Sequence, residues 1–329
     1  MKKILVIQTA SIGDVILSTP LLEKLNAFYD EPKIDMLLKK GTESLFRKHP
    51  FLDEIFIWDK SEHKYRNLYQ IYRVIRRKNY DYVINLQRFF STGLLTIFSG
   101  AAHTVGFNKN PLSLFFSKRV KHKIGIHENI HETQRNLSLI RHFTNDEIYP
   151  VKLYPAPEDY ARMSQYKTHP YICIAPASLW FTKQYPAEKW VDLVKELKDH
   201  YIYFLGSKAD LEMSQEIIEQ SGHPNIINMS GKLSLLQTAA LMADAKMNYV
   251  NDSAPQHIAS AMNASVTSIF CSTVPEFGFG PLSDDSNVIQ TKEELACKPC
   301  GLHGYRECPE GHFKCALTIE TKSLLSRLN

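Results

Sequence analysis

Short apolar runs of strand length recur along the chain, separated by longer stretches in which apolar residues return every third or fourth position. In the first half the runs are Lys2–Gln8, Lys33–Leu38, Glu54–Trp58, Tyr82–Leu86 and Thr104–Gly106. In the second they are Tyr171–Ala175, Tyr201–Leu205, Ile226–Met229, Met247–Val250 and Ser265–Phe270, with helical patterns such as Trp190–Lys198 and Leu235–Ala243 between them. Near-continuous apolar strands alternating with helices predict α/β architecture with parallel sheets covered on both faces. The segment from Glu147 to Pro170 carries Pro150, Pro155, Pro157 and Pro170 and reads as a linker. With 329 residues, the chain exceeds one ordinary core. The expectation is two doubly wound, Rossmann-like domains, residues 1–155 and 156–329, facing each other across a cleft.

Composition adds a charge asymmetry. Residues 1–150 hold 23 Lys and Arg against 15 Asp and Glu, whereas residues 151–329 hold 16 against 20. A basic first half suggests an anionic partner for that domain. Nothing resembles a nucleic-acid module, so no nucleic acid is expected. Lys60 to Lys78 reads as an amphipathic basic helix, with Tyr65, Leu68, Tyr69, Ile71, Tyr72 and Ile75 among Arg66, Arg73, Arg76 and Arg77. It is either a solvated helix with a Tyr-rich core face or a surface for a membrane or an acidic glycan. No apolar segment approaches the roughly 20 residues of a membrane span, and no signal-peptide pattern follows Met-Lys-Lys. A cytoplasmic protein is expected.

Three loops at predicted strand ends carry polar chemistry. After the first strand comes Ser11-Ile12-Gly13-Asp14-Val15, with Thr19-Pro20 beyond it. The dinucleotide G-x-G-x-x-G is absent, and a carboxylate faces the expected crevice instead. Asp14 is either a base or a helix cap. The second loop, Pro176 to Pro186, offers Ser178, Thr182 and Lys183, two hydroxyls and a cation suited to a phosphate. The third, Asn251 to Ala259, places Asp252 and Ser253 before a helix bearing Pro255 and His257. Ser253 and Gln256 fit a capping box, and a helix start of this kind binds anions through its free N–H groups.

Together these loops resemble glycosyltransferase family 9, the heptosyltransferases of lipopolysaccharide core assembly. Asn85-Leu86-Gln87, Gly100-Ala101-Ala102, Val105-Gly106-Phe107 and His131-Glu132-Thr133-Gln134-Arg135-Asn136 add to the likeness, which runs from residue 2 past 315. The resemblance implies a GT-B fold and inverting transfer of heptose from an ADP-sugar donor, held by the C-terminal domain. It further implies an anionic lipid-linked acceptor on the N-terminal domain and peripheral contact with the inner face of the cytoplasmic membrane. By position, Asp14 matches the family's general base and Lys183 its diphosphate-binding cation; Asp252 and Ser253 match the donor loop, and Leu233 lies beside the adenine. Ser178, Thr182 and His257 complete the implied donor site. Ala177 and Ala254 stand where the family usually has Gly, and Gln184-Tyr185 replaces Arg-Trp, which leaves another nucleotide sugar, or a non-catalytic nucleotide- or glycan-binding module, as alternatives. No D-x-D is present, so neither metal dependence nor a cofactor is expected. Cys297, Cys300, Cys308 and Cys315 have zinc-compatible spacing, C-x2-C-x7-C-x6-C.

Overall fold

The structure, a computed structural model, describes residues 1–328. It divides into two compact units, residues 1–124 with 130–154, and residues 125–129 with 155–329. Each holds a six-stranded sheet in which every pairing is parallel.

In the first unit the strands are β1 (Lys3–Gln8), β2 (Lys33–Lys39), β3 (Leu52–Trp58), β4 (Tyr82–Asn85), β5 (His103–Phe107) and β6 (Lys118–Val120), in the order β3-β2-β1-β4-β5-β6. In the second they are β7 (Tyr171–Ala175), β8 (Tyr201–Phe204), β9 (Ile226–Asn228), β10 (Met247–Asn251), β11 (Val266–Ile269) and β12 (Ser286–Ile289), in the order β12-β11-β10-β7-β8-β9. Counted within each unit, both sheets have the Rossmann order 3-2-1-4-5-6. The expected α/β class holds, with one strand per unit that the apolar pattern did not reveal. β6 and β12 are edge strands of three and four residues with no fully buried position, so hydrophobicity leaves no mark on them.

Central strands bury almost every side chain: Ile4 to Ile7 of β1 and Ile172 and Ile174 of β7 are all at 0 % exposure. The second core gathers Ile172, Ile174, Trp190, Phe204, Tyr249 and Ile269 and extends to Ala316, Ile319 and Leu324 near the end of the chain. The expected linker is only partly free. Val151 and Leu153 are buried, the Lys152 amide donates to Thr19 Oγ1 at 3.0 Å, and Pro157 opens a helix, Pro157–Met163.

The basic helix runs Lys64–Lys78 and starts later than the pattern suggested. Asp59 Oδ1 accepts from the Ser61 amide at 2.9 Å, and His63 sits at φ +44, so residues 60–63 form a turn. Its core face also differs from the Tyr-rich one expected. Ile71 and Ile75 are buried beside Leu5, Phe56 and Val83, whereas Tyr65 is 74 % and Tyr69 60 % exposed. Ile75→Ala should therefore destabilise the first unit by about 2–5 kcal/mol. Tyr69→Ala should change it by less than about 0.5 kcal/mol. Urea unfolding followed by a probe in the first unit checks both, and equal midpoint shifts would refute the assigned face.

Candidate active site

Ligands of open α/β sheets collect at the strands' carboxyl ends, where neighbouring strands lead off in opposite directions. That point lies between β1 and β4 in the first unit and between β7 and β10 in the second. All three loops singled out in the sequence leave one of these strand ends.

In the first unit β1 ends at Gln8, and a short helix, Ile12–Ile16, follows. Asp14 Oδ2 accepts from the Ser11 amide at 3.2 Å and from the Ser11 hydroxyl at 2.5 Å. The carboxylate thus closes a capping box, which fixes its place on the loop. From across the switch point, Asn85 at the end of β4 accepts from the Gln87 amide at 2.8 Å, and the Gln87 side chain donates to Gln8. Gln8 Nε2 in turn donates to the Asp14 carbonyl at 3.3 Å. A chain of buried amides therefore ties the β4 loop to the loop of Asp14.

Cations lie near this loop. Lys60 donates to the Thr9 carbonyl at 2.9 Å and to Thr9 Oγ1 at 3.0 Å, and lies 4.6 Å from the Trp58 ring centroid. Burial, reinforced by Lys39 and Lys64, pulls it down to about 8. His122 is pulled down to about 4 by burial, with the charges of Lys109, Arg135 and Arg88 adding to the effect. Glu132 is nearly enclosed and raised by burial; its partner Arg135, bonded at 2.6 Å, opposes that rise, and the charge of Asp14 adds to it. Arg88, Lys109 and Lys60 thus make the surroundings of the strand ends basic. Sequence reasoning found the net charge but not its place, because the three residues are far apart in the chain.

In the second unit the loop after β7 carries Ser178, Thr182 and Lys183, and the loop after β10 carries Asp252 and Ser253. Asn251, fully buried at the end of β10, joins them. Its Nδ2 donates to the Pro176 carbonyl at 2.6 Å, and its Oδ1 accepts from the Tyr185 amide at 3.0 Å. One side chain thus holds both ends of the loop. Lys183 Nζ lies 2.7 Å from Asp252 Oδ2, which also accepts from Thr273 Oγ1 at 2.6 Å. The pair is largely buried, its side chains 15 % and 7 % exposed.

Other implied donor residues sort by exposure. Ser178 is half-buried, and its carbonyl accepts from Gln184 Nε2 at 2.6 Å. Leu233 is half-buried just before the helix Leu235–Ala243. His257 is buried in the first turns of the helix Ala254–Ala261. Thr182 departs from the expected role. It is 1 % exposed, and its hydroxyl lies between the Tyr305 amide at 2.8 Å and the Ser272 hydroxyl at 3.0 Å, so it braces the loop from beneath. The capping box at Ser253 does not form: the Gln256 side chain donates to the Phe279 carbonyl at 2.6 Å, and Ser253 makes no side-chain bond to the first turn. The helix start beside the Lys183–Asp252 pair is thereby left open, the condition that suits an anion.

The cysteine-bearing tail braces the same loop. The Cys300 amide donates to the Ser272 carbonyl at 2.8 Å, and Thr182 and Tyr305 exchange backbone contacts. Gly304 sits at φ +77, and a Cβ there would come within 2.9 Å of Thr182 Oγ1 and 3.0 Å of Lys183 Cγ. Cys297 Sγ is 3.8 Å from His312 Nε2. Among the described residues, no three His, Cys, Asp or Glu side chains converge to hold a metal ion, so the zinc-compatible spacing has no matching geometry.

The family model described as glycosyltransferase family 9 (heptosyltransferase) matches residues 68–308. Lipopolysaccharide heptosyltransferase 3 of Escherichia coli is 26 % identical over 277 residues, covering 79 % of this chain and 81 % of that protein. Among solved structures, a family 9 glycosyltransferase from Veillonella parvula superposes with a TM-score of 0.86 at 22 % identity, covering 99 % of this chain and 96 % of that one. The E. coli ADP-heptose lps heptosyltransferase II gives 0.80 at 22 % identity, covering 100 % and 98 %. The fold is GT-B.

Asn251→Ala tests how far the second site depends on its clamp. Removing the amide strands a buried carbonyl and a buried N–H, each worth about 1–3 kcal/mol. The second unit should lose stability by that order in urea titration. ADP affinity, measured calorimetrically, should fall by about tenfold or more, equivalent to about 1.4 kcal/mol. Wild-type affinity in a folded variant would dissociate the clamp from the site.

Proposed function

This chain belongs to glycosyltransferase family 9, the heptosyltransferases, and we propose that it moves heptose from ADP-heptose to the lipid A-linked inner core of lipopolysaccharide, with inversion at the anomeric carbon. The observation that carries the reading is the Lys183–Asp252 pair set beside an open helix start, on a loop clamped by Asn251. Such a site offers a cation and backbone N–H groups to a diphosphate, and Asp252 holds the cation in position before the donor arrives.

The steps follow from these residues. Asp14 accepts the proton of an acceptor hydroxyl as its oxygen attacks the anomeric carbon. The bond from that carbon to the ADP oxygen breaks, and its electron pair stays on the diphosphate. Lys183 and the first turn of Ala254–Ala261 stabilise the added charge. Leu233 lies beside the adenine, and Ser178, Ser253 and His257 belong to the same donor site, with Thr182 supporting it from below. Lys60, Arg88 and Lys109 supply positive charge for an anionic acceptor on the first unit. The protein works at the inner face of the cytoplasmic membrane, touching it peripherally. Among the described residues no helix is long and apolar enough to cross a membrane.

Ala177 and Ala254, where the family usually has Gly, favour a second reading with a different nucleotide sugar. A thermal-shift series with ADP, UDP, GDP and their sugars separates the two. Stabilisation by ADP and ADP-heptose alone supports the first, and stabilisation by UDP or GDP alone overturns it.

Asp14→Asn should leave ADP-heptose binding unchanged and lower kcat by about 10²–10⁴-fold, the usual contribution of a general base. Turnover near the wild-type rate would remove Asp14 from that role. Lys183→Met should instead weaken ADP binding and slow turnover together. A variant that kept wild-type ADP affinity would contradict the placement of the diphosphate.

A further inference from the structure

Residues 82–124 of the first unit contain no Asp or Glu and carry six cations: Arg88, Lys109, Lys118, Arg119, Lys121 and Lys123. Two loops in this stretch leave large apolar side chains in solvent. Phe89 and Phe90, at the start of the helix Phe90–Phe98, are 49 % and 55 % exposed; Leu114 and Phe115 are 72 % and 71 % exposed. The loops form one surface. Asn110 Nδ2 donates to the carbonyls of Gln87 and Phe89, each at 3.0 Å, and a Cβ on Gly93 would lie 3.1 Å from that of Leu112. The Arg88 guanidinium is 5.7 Å from the Phe89 ring centroid and the Lys60 ammonium 6.0 Å.

Single exposed apolar residues are ordinary, but four on two abutting loops, within an acid-free basic stretch, are not. Aromatic and aliphatic tips enter the boundary between lipid headgroups and acyl chains, while neighbouring Lys and Arg meet anionic headgroups. We propose that Phe89, Phe90, Leu114 and Phe115 dock the first unit on an anionic lipid bilayer, with Lys118, Arg119, Lys121 and Lys123 supplying long-range attraction. Charge selects the occupant: six cations without an acid complement a negative surface, whereas a self-associating face would set like charges against each other. The surface adjoins the Gln87 loop, which is bonded to the loop of Asp14, so docking brings the strand ends that hold Asp14 towards the membrane plane. This last step rests on the reading of the acceptor as lipid-linked; the docking itself does not.

The test uses the full chain and a Phe90→Ser, Leu114→Ser, Phe115→Ser triple variant, whose sites are all exposed. Co-sedimentation with phosphatidylethanolamine vesicles containing phosphatidylglycerol should retain the wild type, and the variant's partitioning should fall at least tenfold. Replacing Lys118, Arg119 and Lys121 by Gln should weaken binding most at low salt. For acceptor embedded in such vesicles, the triple variant's KM should rise about tenfold, by the same loss of local concentration, while an acceptor stripped of acyl chains is turned over as by wild type. Equal vesicle binding by both proteins, or none by either, overturns the proposal. So does a wild-type dimer in analytical ultracentrifugation that the triple variant splits, because the face would then belong to a second copy. Loss of vesicle binding with no turnover of either acceptor would remove the proposed reaction and leave the docking surface standing.

Discussion

Asn251 ends β10 with its side chain fully buried, and its amide is divided between the Pro176 carbonyl and the Tyr185 amide. A loop rich in free backbone groups has many conformations, and ordering each residue costs about 1–2 kcal/mol. Holding entry and exit from one rigid strand end removes most of that freedom without covering the residues in between. Lys183 and Ser178 therefore keep part of their surface exposed on a loop whose ends are tied to the sheet. On the proposed reading, a diphosphate that meets this loop would find its cation in place, with little ordering left for binding to drive. The first unit solves the same problem at the same point of its sheet: Asn85 ends β4 and, through Gln87 and Gln8, reaches the loop of Asp14. Two sheets of one topology thus each use an asparagine at the switch point to tie down a loop.

The buried pair of Lys183 and Asp252 follows from that constraint. A charge enclosed to this degree is costly unless it is paired, and Lys183 lies against a carboxylate. Asp252 holds the ammonium in place and is itself held by the hydroxyl of Thr273. On the proposed reading, an arriving diphosphate would compete with the aspartate for the ammonium, and the open helix start would supply the additional donors that tip this exchange. Had Gln256 capped the helix, as its spacing from Ser253 suggests, part of that capacity would be spent within the protein. Its side chain is held by the Phe279 carbonyl instead, so the first turn stays available.

The parts of the structure legible from sequence were those in which burial writes a pattern. β7 is apolar throughout and β1 and β10 mostly so, and the loops that leave them were found by following those runs to their ends. β6 and β12 escaped because an edge strand pairs through its backbone and need not bury anything. The start of the basic helix escaped because Asp59 folds residues 60–63 into a turn, a short-range contact that hydrophobic periodicity does not register. At the site, residue type alone could not say what Thr182 does. A hydroxyl suits a phosphate and a buried brace equally, and only the positions of Tyr305 and Ser272, distant in the chain, decide between them. Arg88 and Lys109 belong to different loops and reach Asp14's surroundings only through the order of the sheet.

The tail shows why a motif and its spacing are weaker guides than what the motif touches. Four cysteines at zinc-compatible intervals direct attention to the thiols, yet the contacts that matter for the site come from residues between them. Gly304 allows the chain to pass within van der Waals distance of Thr182 and Lys183 in a left-handed conformation that any side chain would strain. Tyr305 offers its backbone to Thr182, and Cys300 contributes its amide to the Ser272 carbonyl. The thiols of Cys315 and Cys271 are buried, and burial pushes both upward, Cys315 to about 11, so neither is a ready nucleophile. The segment is best understood as the outer half of a vise: β10 grips the Lys183 loop at its ends through Asn251, and the tail presses its middle through Gly304 and Tyr305.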